Sequence, residues 1–243
     1  MAAPMGAVCP RMFGIPSMSL LSIDSLQKSF VSPDGERRTI VNIPEFRLSA
    51  GRQLALRGES GSGKTTFLHL IAGILAADQG SILLGQQNMA KLKEPARDRL
   101  RAEFIGYIFQ TFNLLQGYTC LENVLLGMSF GPGADRTQAK AVLERVGLAQ
   151  RLDHYPRQLS TGQQQRVAVA RAMANRPKLV LADEPTGNLD RKNARESLAL
   201  IRETCRETGA SLLLVSHDAD VLAAFDDVSD FAELNLAAKE VLS

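Results

Sequence analysis

The stretch Gly58-Glu59-Ser60-Gly61-Ser62-Gly63-Lys64-Thr65 has the composition of a phosphate cradle and fits the pattern G-x-x-x-x-G-K-[ST]. Its glycines let backbone N–H groups close round phosphate oxygens, and a helix start adds unpaired donors and partial positive charge. In that pattern Lys64 reaches the β- and γ-phosphates and the Thr65 hydroxyl binds Mg2+. A second stretch, Leu179-Val180-Leu181-Ala182-Asp183-Glu184, is an apolar strand ending on two carboxylates. Ligands of open α/β sheets gather at the carboxyl ends of strands, which suits Asp183 to hold Mg2+ and Glu184 to orient or deprotonate an attacking water. Alone, such a strand end reads equally well as a solvated acidic turn; the glycine-rich loop in the same chain favours the chemical reading.

A third stretch, Leu159-Ser160-Thr161-Gly162-Gln163, opens a helix. Ser160 and Gln163 fit the capping box S-x-x-Q, and the start they cap is a further anion-binding pole. Spacing alone is satisfied by a well-capped helix. Gln110 and His217 each follow a strand end, at the sheet edge that carries the loop and the acidic pair.

The elements that must position these groups follow from periodicity and punctuation. Extended stretches are expected at Ser19–Phe30 and Ile40–Leu48, separated by a Ser-Pro-Asp-Gly turn, then at Gln53–Arg57 leading into the loop. A helix over Lys64–Ala72 stops at Gly73, and a strand over Ser81–Leu84 closes at Gly85. Residues 91–103 read as a charged helix, Phe104–Phe109 as a strand, and 119–149 as helical with a break at Gly131–Gly133. The helix opened at Ser160 runs to about Asn175; a buried strand at Leu179–Ala182, a helix at Arg191–Thr208 and a last strand at Ser211–Val215 follow. Strands alternating with helices at this spacing argue for a parallel sheet with helices on its faces. The run between Gln110 and Ser160 has no convincing strand and reads as a separate helical lobe.

Composition bounds the function classes. The chain has 243 residues, 45% hydrophobic and 22% charged, which fits a single globular domain with a sizeable core. A net charge of +2, 5% aromatic residues and no Trp argue against a nucleic-acid partner. No apolar run approaches the ~18 residues needed to span a bilayer, so the membrane part of any membrane process lies on another chain. Cys9, Cys120 and Cys205 are few and widely spaced, as in a reducing compartment. Residues 1–17, rich in Pro, Gly and Met, are expected to be a disordered leader with Met18 an alternative start; the main domain spans 18–243. Cys9 lacks the basic start and apolar stretch of a lipoprotein signal.

In order and spacing, the glycine-rich loop, Gln110, Leu159–Gln163, the Leu179–Glu184 strand, Gly187-Asn188-Leu189-Asp190 and His217 resemble the ABC ATPases, the nucleotide-binding subunits of ABC transporters. The likeness runs from about Leu20 to Asp218. It implies an α/β fold: a P-loop NTPase with a mostly parallel central sheet, an N-terminal antiparallel β part and a helical subdomain inserted at about 111–162. It implies ATP and Mg2+, with Gly58, Ser60, Gly61, Ser62, Gly63, Lys64, Thr65 and Thr66 on the nucleotide and Thr65, Gln110 and Asp183 at the metal. Gln110 then senses the metal and the attacking water, Glu184 is the base and His217 meets the γ-phosphate. Ser160, Gly162 and Gln163 contact the γ-phosphate held by a second copy, with Asp190 at the dimer seam. Phe30 stands where an aromatic stacks on adenine, an ordinary core aromatic being the alternative. The implied partners are a second copy and an integral membrane permease, with the chain at the inner face of the cell membrane. The wording Glu184-Pro185-Thr186-Gly187-Asn188-Leu189-Asp190 and the run Gln163–Arg166 are similar to the branch serving lipoprotein release, macrolide export and haem or glycolipid export. A regulatory ABC ATPase that signals through a permease-like protein, as in cell division, shares the same motor. ABC ATPases of DNA repair or translation bring coiled coils or tandem motors, which this chain lacks. Thr161 departs from the family's usual glycine and Arg52 from its usual glutamate, and the family's closing strand and glycine turn are poorly matched from Val228 onward.

Overall fold

The computed structural model describes residues 19–237; the leader expected at 1–17, Cys9 and Met18 lie outside the described residues. Two sheets stack with α1 between them. The first is antiparallel, in the order β2-β1-β4-β5, from β1 (Ser19–Val31), β2 (Arg37–Ser49), β4 (Gln79–Leu84) and β5 (Gln87–Asn88). The second is parallel, in the order β6-β7-β8-β3-β9, from β3 (Gln53–Arg57), β6 (Ile105–Ile108), β7 (Leu179–Asp183), β8 (Ser211–Ser216) and β9 (Val228–Asp230). The helices are α1 (Lys64–Ile71), α2 (Glu94–Phe104), α3 (Cys120–Ser129), α4 (Arg136–Arg145), α5 (Thr161–Met173), α6 (Arg191–Thr208), α7 (Ala219–Leu222) and α8 (Phe231–Leu234).

Strands β7 and β8 are buried throughout, as parallel strands covered on both faces must be. Successive side chains of a strand alternate between faces, and here they feed two separate cores. Leu179, Leu181, Leu213 and Val215 pack with Phe67 and Leu68 of α1 and with Leu21, Ile23 and Phe46 of the antiparallel sheet. Val180, Ala182, Leu212 and Leu214 pack on the other face with Val124, Leu143, Val169 and Ile201 of α3, α4, α5 and α6. Between β6 and α5 the chain is helical and carries no strand. Thr119 caps α3 in a reciprocal box with Glu122, and Asp135 caps α4 by accepting from Thr137 and Gln138 N–H, so this region has its own start signals.

The structure extends beyond Asp218, where the family likeness weakens. Val228–Asp230 adds a parallel strand to the outer edge of β3, pairing Ala55 with Val228 and Arg57 with Asp230. Three residues with an exposed Val228 leave no alternation to read, which is why this closing strand is faint in the sequence.

Candidate active site

The alternation along β7 determines where the first carboxylate goes. Asp183 shares the parity of Leu179 and Leu181, so it faces α1, and there the Thr65 hydroxyl donates to its Oδ1 at 3.2 Å. Asp183 is only 5% exposed. Burial holds its carboxyl above the usual aspartate range, with Glu184 adding to the rise and the Thr65 hydrogen bond, His69 and Lys64 partly offsetting it. Lys64, 6% exposed, donates from Nζ to the carbonyls of Gly58 (2.6 Å) and Glu59 (2.7 Å). Burial lowers its affinity for a proton, while Glu184, Asp183 and Glu59 oppose that shift.

Gly63 lets the loop turn into α1. It has φ 98, in the left-handed region, and a Cβ there would sit 2.9 Å from the Ile40 carbonyl oxygen, so both conformation and space exclude a side chain.

Glu184 adopts φ 42, a left-handed conformation that is strained for a residue with a Cβ. Its carboxylate is gripped from β8: Oε2 accepts from Ser216 Oγ at 2.9 Å, and Oε1 accepts from the His217 backbone N–H at 3.1 Å and lies 2.7 Å from His217 Nδ1. The carbonyl of Gln110 accepts from Asn188 Nδ2 at 2.7 Å. Its side-chain amide lies close enough to Gly187 that a Cβ there would be 3.4 Å from Nε2.

A cavity of about 220 Å3 brings together Lys64, Thr65, Thr66, Gln110, Glu184 and His217, with Ser60, Gly61 and Gly63 on its wall. A larger cavity of about 710 Å3 shares Ser60, Gly61 and His217 with it and is walled by Gly58, Ser62, Arg38, Arg57, Asp230 and Asn235. Groups drawn from four separate strand ends thus meet at one sheet edge.

The remaining sequence-identified residues line neither cavity. Ser160 and Gln163 form the expected box, with Gln163 N–H donating to Ser160 Oγ at 3.3 Å and Ser160 N–H to Gln163 Oε1 at 3.1 Å. Thr161 occupies the first helical position without difficulty, whereas a Cβ on Gly162 would sit 2.9 Å from Asn193 Oδ1. Asp190 caps α6 by accepting from Lys192 and Asn193 N–H at 3.0 Å each, and these bonds, that from Asn193 first, hold its carboxyl below the usual range. Phe30 lies at the end of β1, 42% exposed, with Lys28 Nζ 5.5 Å from its ring centre. That exposure disposes of the core-aromatic alternative, and its cross-strand neighbour Arg38 is on the wall of the larger cavity.

Sequence reasoning missed Ser216 and Asn235, which hold the functional groups; Asn188 stands within the Gly187–Asp190 motif singled out above, but its bond to the Gln110 carbonyl shows only in the fold. Ser216 reads as the end of an apolar strand. Asn235 reaches the loop from 173 positions away, so no local pattern marks it. Among the described residues no cluster of three or more His, Cys, Asp or Glu could hold a metal. Cys120 and Cys205 are buried, and burial pushes their thiols up to about 11 and about 12, which makes them poor nucleophiles.

A phosphate cradle at a strand-to-helix turn, beside a buried aspartate and a gripped glutamate at the next strand ends, defines a nucleoside triphosphatase of the P-loop class. The particular family follows from comparison. The chain belongs to the ABC transporter family, whose model matches residues 41–187. It is 42% identical over 215 residues to the lipoprotein-releasing system ATP-binding protein LolD of Shewanella denitrificans, covering 86% of this chain and 91% of the relative. It is 40% identical to the uncharacterized ABC transporter ATP-binding protein YbbA of Escherichia coli K12, covering 87% and 94%. Among solved structures it resembles the dimeric structure of MJ0796, a bacterial ABC transporter cassette, with TM-score 0.79 and 31% identity over 86% of this chain and 93% of that one. It also resembles that cassette's dimeric post-hydrolysis state bound to ADP and Pi, with TM-score 0.80 and 30% identity over 90% and 95%. The chain is an ATP-binding and ATP-hydrolysing subunit. Among the described residues no helix is long and apolar enough to cross a membrane.

Proposed function

We propose that two copies of this chain close on two ATP molecules and use their hydrolysis to drive a separate integral membrane permease. They act from the cytoplasmic face of the membrane to extrude a lipoprotein or another hydrophobic compound. One observation carries the reading: a single small cavity gathers Lys64, Thr65, Gln110, Glu184 and His217 but leaves out Ser160, Gly162 and Gln163. Half of a hydrolytic site is present and the second anion pole lies elsewhere on the chain. That separation supports a sandwich in which each nucleotide lies between the loop of one copy and the Ser160 helix start of the other, with Asp190 at the seam. Dimeric cassettes among the structural relatives support the same arrangement. The LolD relative is named for a lipoprotein-releasing system, and the Glu184–Asp190 wording supports that branch.

In this reading the backbone of Gly58, Ser60, Gly61, Ser62, Gly63 and Thr66 wraps the phosphates, Lys64 Nζ bridges the β- and γ-phosphates, and Phe30 flanks the adenine. Thr65 Oγ1, Asp183 and the Gln110 side chain would hold Mg2+. Hard oxygen donors suit a small cation that keeps several waters, and among the described residues the buried Asp183 carboxylate is otherwise hydrogen-bonded only by the neutral Thr65 hydroxyl. Mg2+ neutralises charge on the β- and γ-phosphate oxygens when bound. Glu184 accepts a proton from the water whose oxygen attacks the γ-phosphorus; the bond to the bridging oxygen breaks and its electron pair leaves with ADP. Ser216 and His217 hold the Glu184 carboxylate for that transfer. Residues 111–162 form the helical subdomain that passes the motion to the permease.

Glu184→Gln tests the assignment. With ATP the variant is expected to elute at the mass of a stable dimer while turnover nearly vanishes; full hydrolysis would remove Glu184 as the base. Affinity purification from solubilised membranes, with the bound protein identified by mass spectrometry, tests the partner. Recovery without any membrane protein would refute that part.

A further inference from the structure

Asn235 is 1% exposed, and both ends of its side-chain amide are used. Nδ2 donates to the carbonyls of Ile40 (2.9 Å) and Ser62 (3.3 Å), while Oδ1 accepts from the N–H of Asn42 (2.7 Å) and Ala237 (3.3 Å). One amide thus ties together β2, the glycine-rich loop and the segment following α8. Around it, Asp230 pairs with Arg57 at 2.7 Å, where the loop leaves β3. The buried ring of Phe231 lies 5.5 Å from that of Phe67 in α1, where the loop ends. The segment Val228–Ala237 therefore meets the loop at its start, at its end and on the helix it feeds.

We propose that Asn235 is a positioning residue for the ATP phosphates, acting through the Ser62–Gly63 peptide; this rests on reading Gly58–Thr65 as the phosphate site. A trans peptide unit is planar, with its C=O and the following N–H pointing in opposite directions. Holding the Ser62 carbonyl toward Asn235 therefore turns the Gly63 N–H the other way, into the loop. Gly63 sits against the same two groups, since a Cβ there would lie 2.9 Å from Ile40 O and 3.6 Å from Asn235 Nδ2. Preorganised donors bind an anion more tightly than donors that must be ordered on binding.

The experiment compares Asn235→Asp with the unaltered chain. The carboxylate keeps an acceptor for Asn42 and Ala237 but sets negative charge against the two carbonyls. The expected result is a rise of about tenfold in the Kd for ATP, with kcat at saturation little changed and faster amide exchange at residues 61–63. Phe231→Leu loosens the same segment without touching these bonds, and is expected to lower the thermal midpoint with little effect on Kd. Asn235→Ala serves if the Asp variant does not accumulate folded. The inference is overturned if the Asn235 variants leave Kd unchanged while Lys64→Ala loses binding. It is also overturned if Phe231→Leu weakens binding as much as Asn235→Asp at equal loss of thermal midpoint. Should Lys64→Ala bind ATP normally, the phosphate-site reading itself fails and this inference with it.

Discussion

Replacing Ser216 with Ala removes one hydroxyl, and its cost follows from what that hydroxyl holds. Among the described residues Glu184 has three contacts on its carboxylate, and Ser216 Oγ, at 2.9 Å, is the only one on Oε2. Ser216 is 1% exposed, so water does not readily take its place. A hydrogen bond to a charged group contributes about 1.5–3 kcal/mol. If Glu184 is the base, as proposed, then at ~1.4 kcal/mol per tenfold in rate the loss of that bond lowers kcat by roughly 10- to 100-fold. The Asp218 N–H also loses its acceptor, Ser216 Oγ at 3.1 Å, so part of the loss will appear as a lower thermal midpoint. Ser216 lines neither cavity, so affinity for ATP should be unchanged. The assay is steady-state ATP hydrolysis with nucleotide titration and thermal unfolding on the same protein, repeated in a Glu184→Gln background. There the serine has no base left to position, and the second substitution should add little. A Ser216→Ala enzyme with undiminished kcat would refute the reasoning. So would an equal further loss in the Glu184→Gln background, which would show that Ser216 acts elsewhere.

Asp183→Asn should stabilise the nucleotide-free protein while abolishing hydrolysis. The carboxyl of Asp183 is raised above the ordinary 3.8 by burial, so the folded state holds its proton more tightly than the unfolded chain. Its contribution to stability is therefore best below pH 3.8, is lost as pH rises to the elevated folded value, and stays unfavourable at neutral pH. Each ~1 kcal/mol of relieved penalty raises the thermal midpoint of a chain this size by roughly 2–4 °C; calorimetry across that pH range should show a rise at neutral pH that vanishes in acid. Ser160→Arg should leave ATP binding intact but stop turnover, and mixing it with Lys64→Ala should restore activity. A mixed dimer regains one complete site only if loop and helix start meet across two chains, so failure to complement would count against the sandwich.

What the sequence discloses depends on whether the physics is local. The bounds of α6 are readable because Asp190 caps its start and Gly209, at φ 70, ends it. Strands β7 and β8 are readable because burial on both faces demands an unbroken apolar run. Lys64, Thr65 and Asp183 are readable because the proposed phosphate and metal chemistry would dictate both residue type and place, the first two at the strand-loop-helix turn and Asp183 at the end of β7. The supports are not readable. Ser216 looks like any strand terminus until β7 and β8 pair and bring Glu184 beside it, and the φ of 42 at Glu184 appears only in the folded backbone. β9 pairs with β3 on three residues without a pattern, and Asn235 acts across most of the chain length.

The second anion pole is wired back to the first within each chain. At the start of α5, Gln163 N–H is served by Ser160 Oγ and Gln164 N–H by Ser160 O. The N–H groups of Thr161 and Gly162 are the two that the box does not serve, and they belong to the open end of the helix. Gly162 has no room for a Cβ because Asn193 packs against it. Asn193 in turn donates its backbone N–H to Asp190, and two residues earlier Asn188 holds the carbonyl of Gln110. In the proposed sandwich, a phosphate pressed on the Ser160 helix start by a partner would meet a turn whose other side grips the glutamine of the chain's own cavity. Each contact in that series is a packed atom pair or a hydrogen bond, so displacing one end has a physical route to the other. In the proposed sandwich the partner's nucleotide would close the dimer and also bear on where Gln110 stands in the neighbouring site, which would couple the two hydrolytic events without any contact between the two ATP molecules.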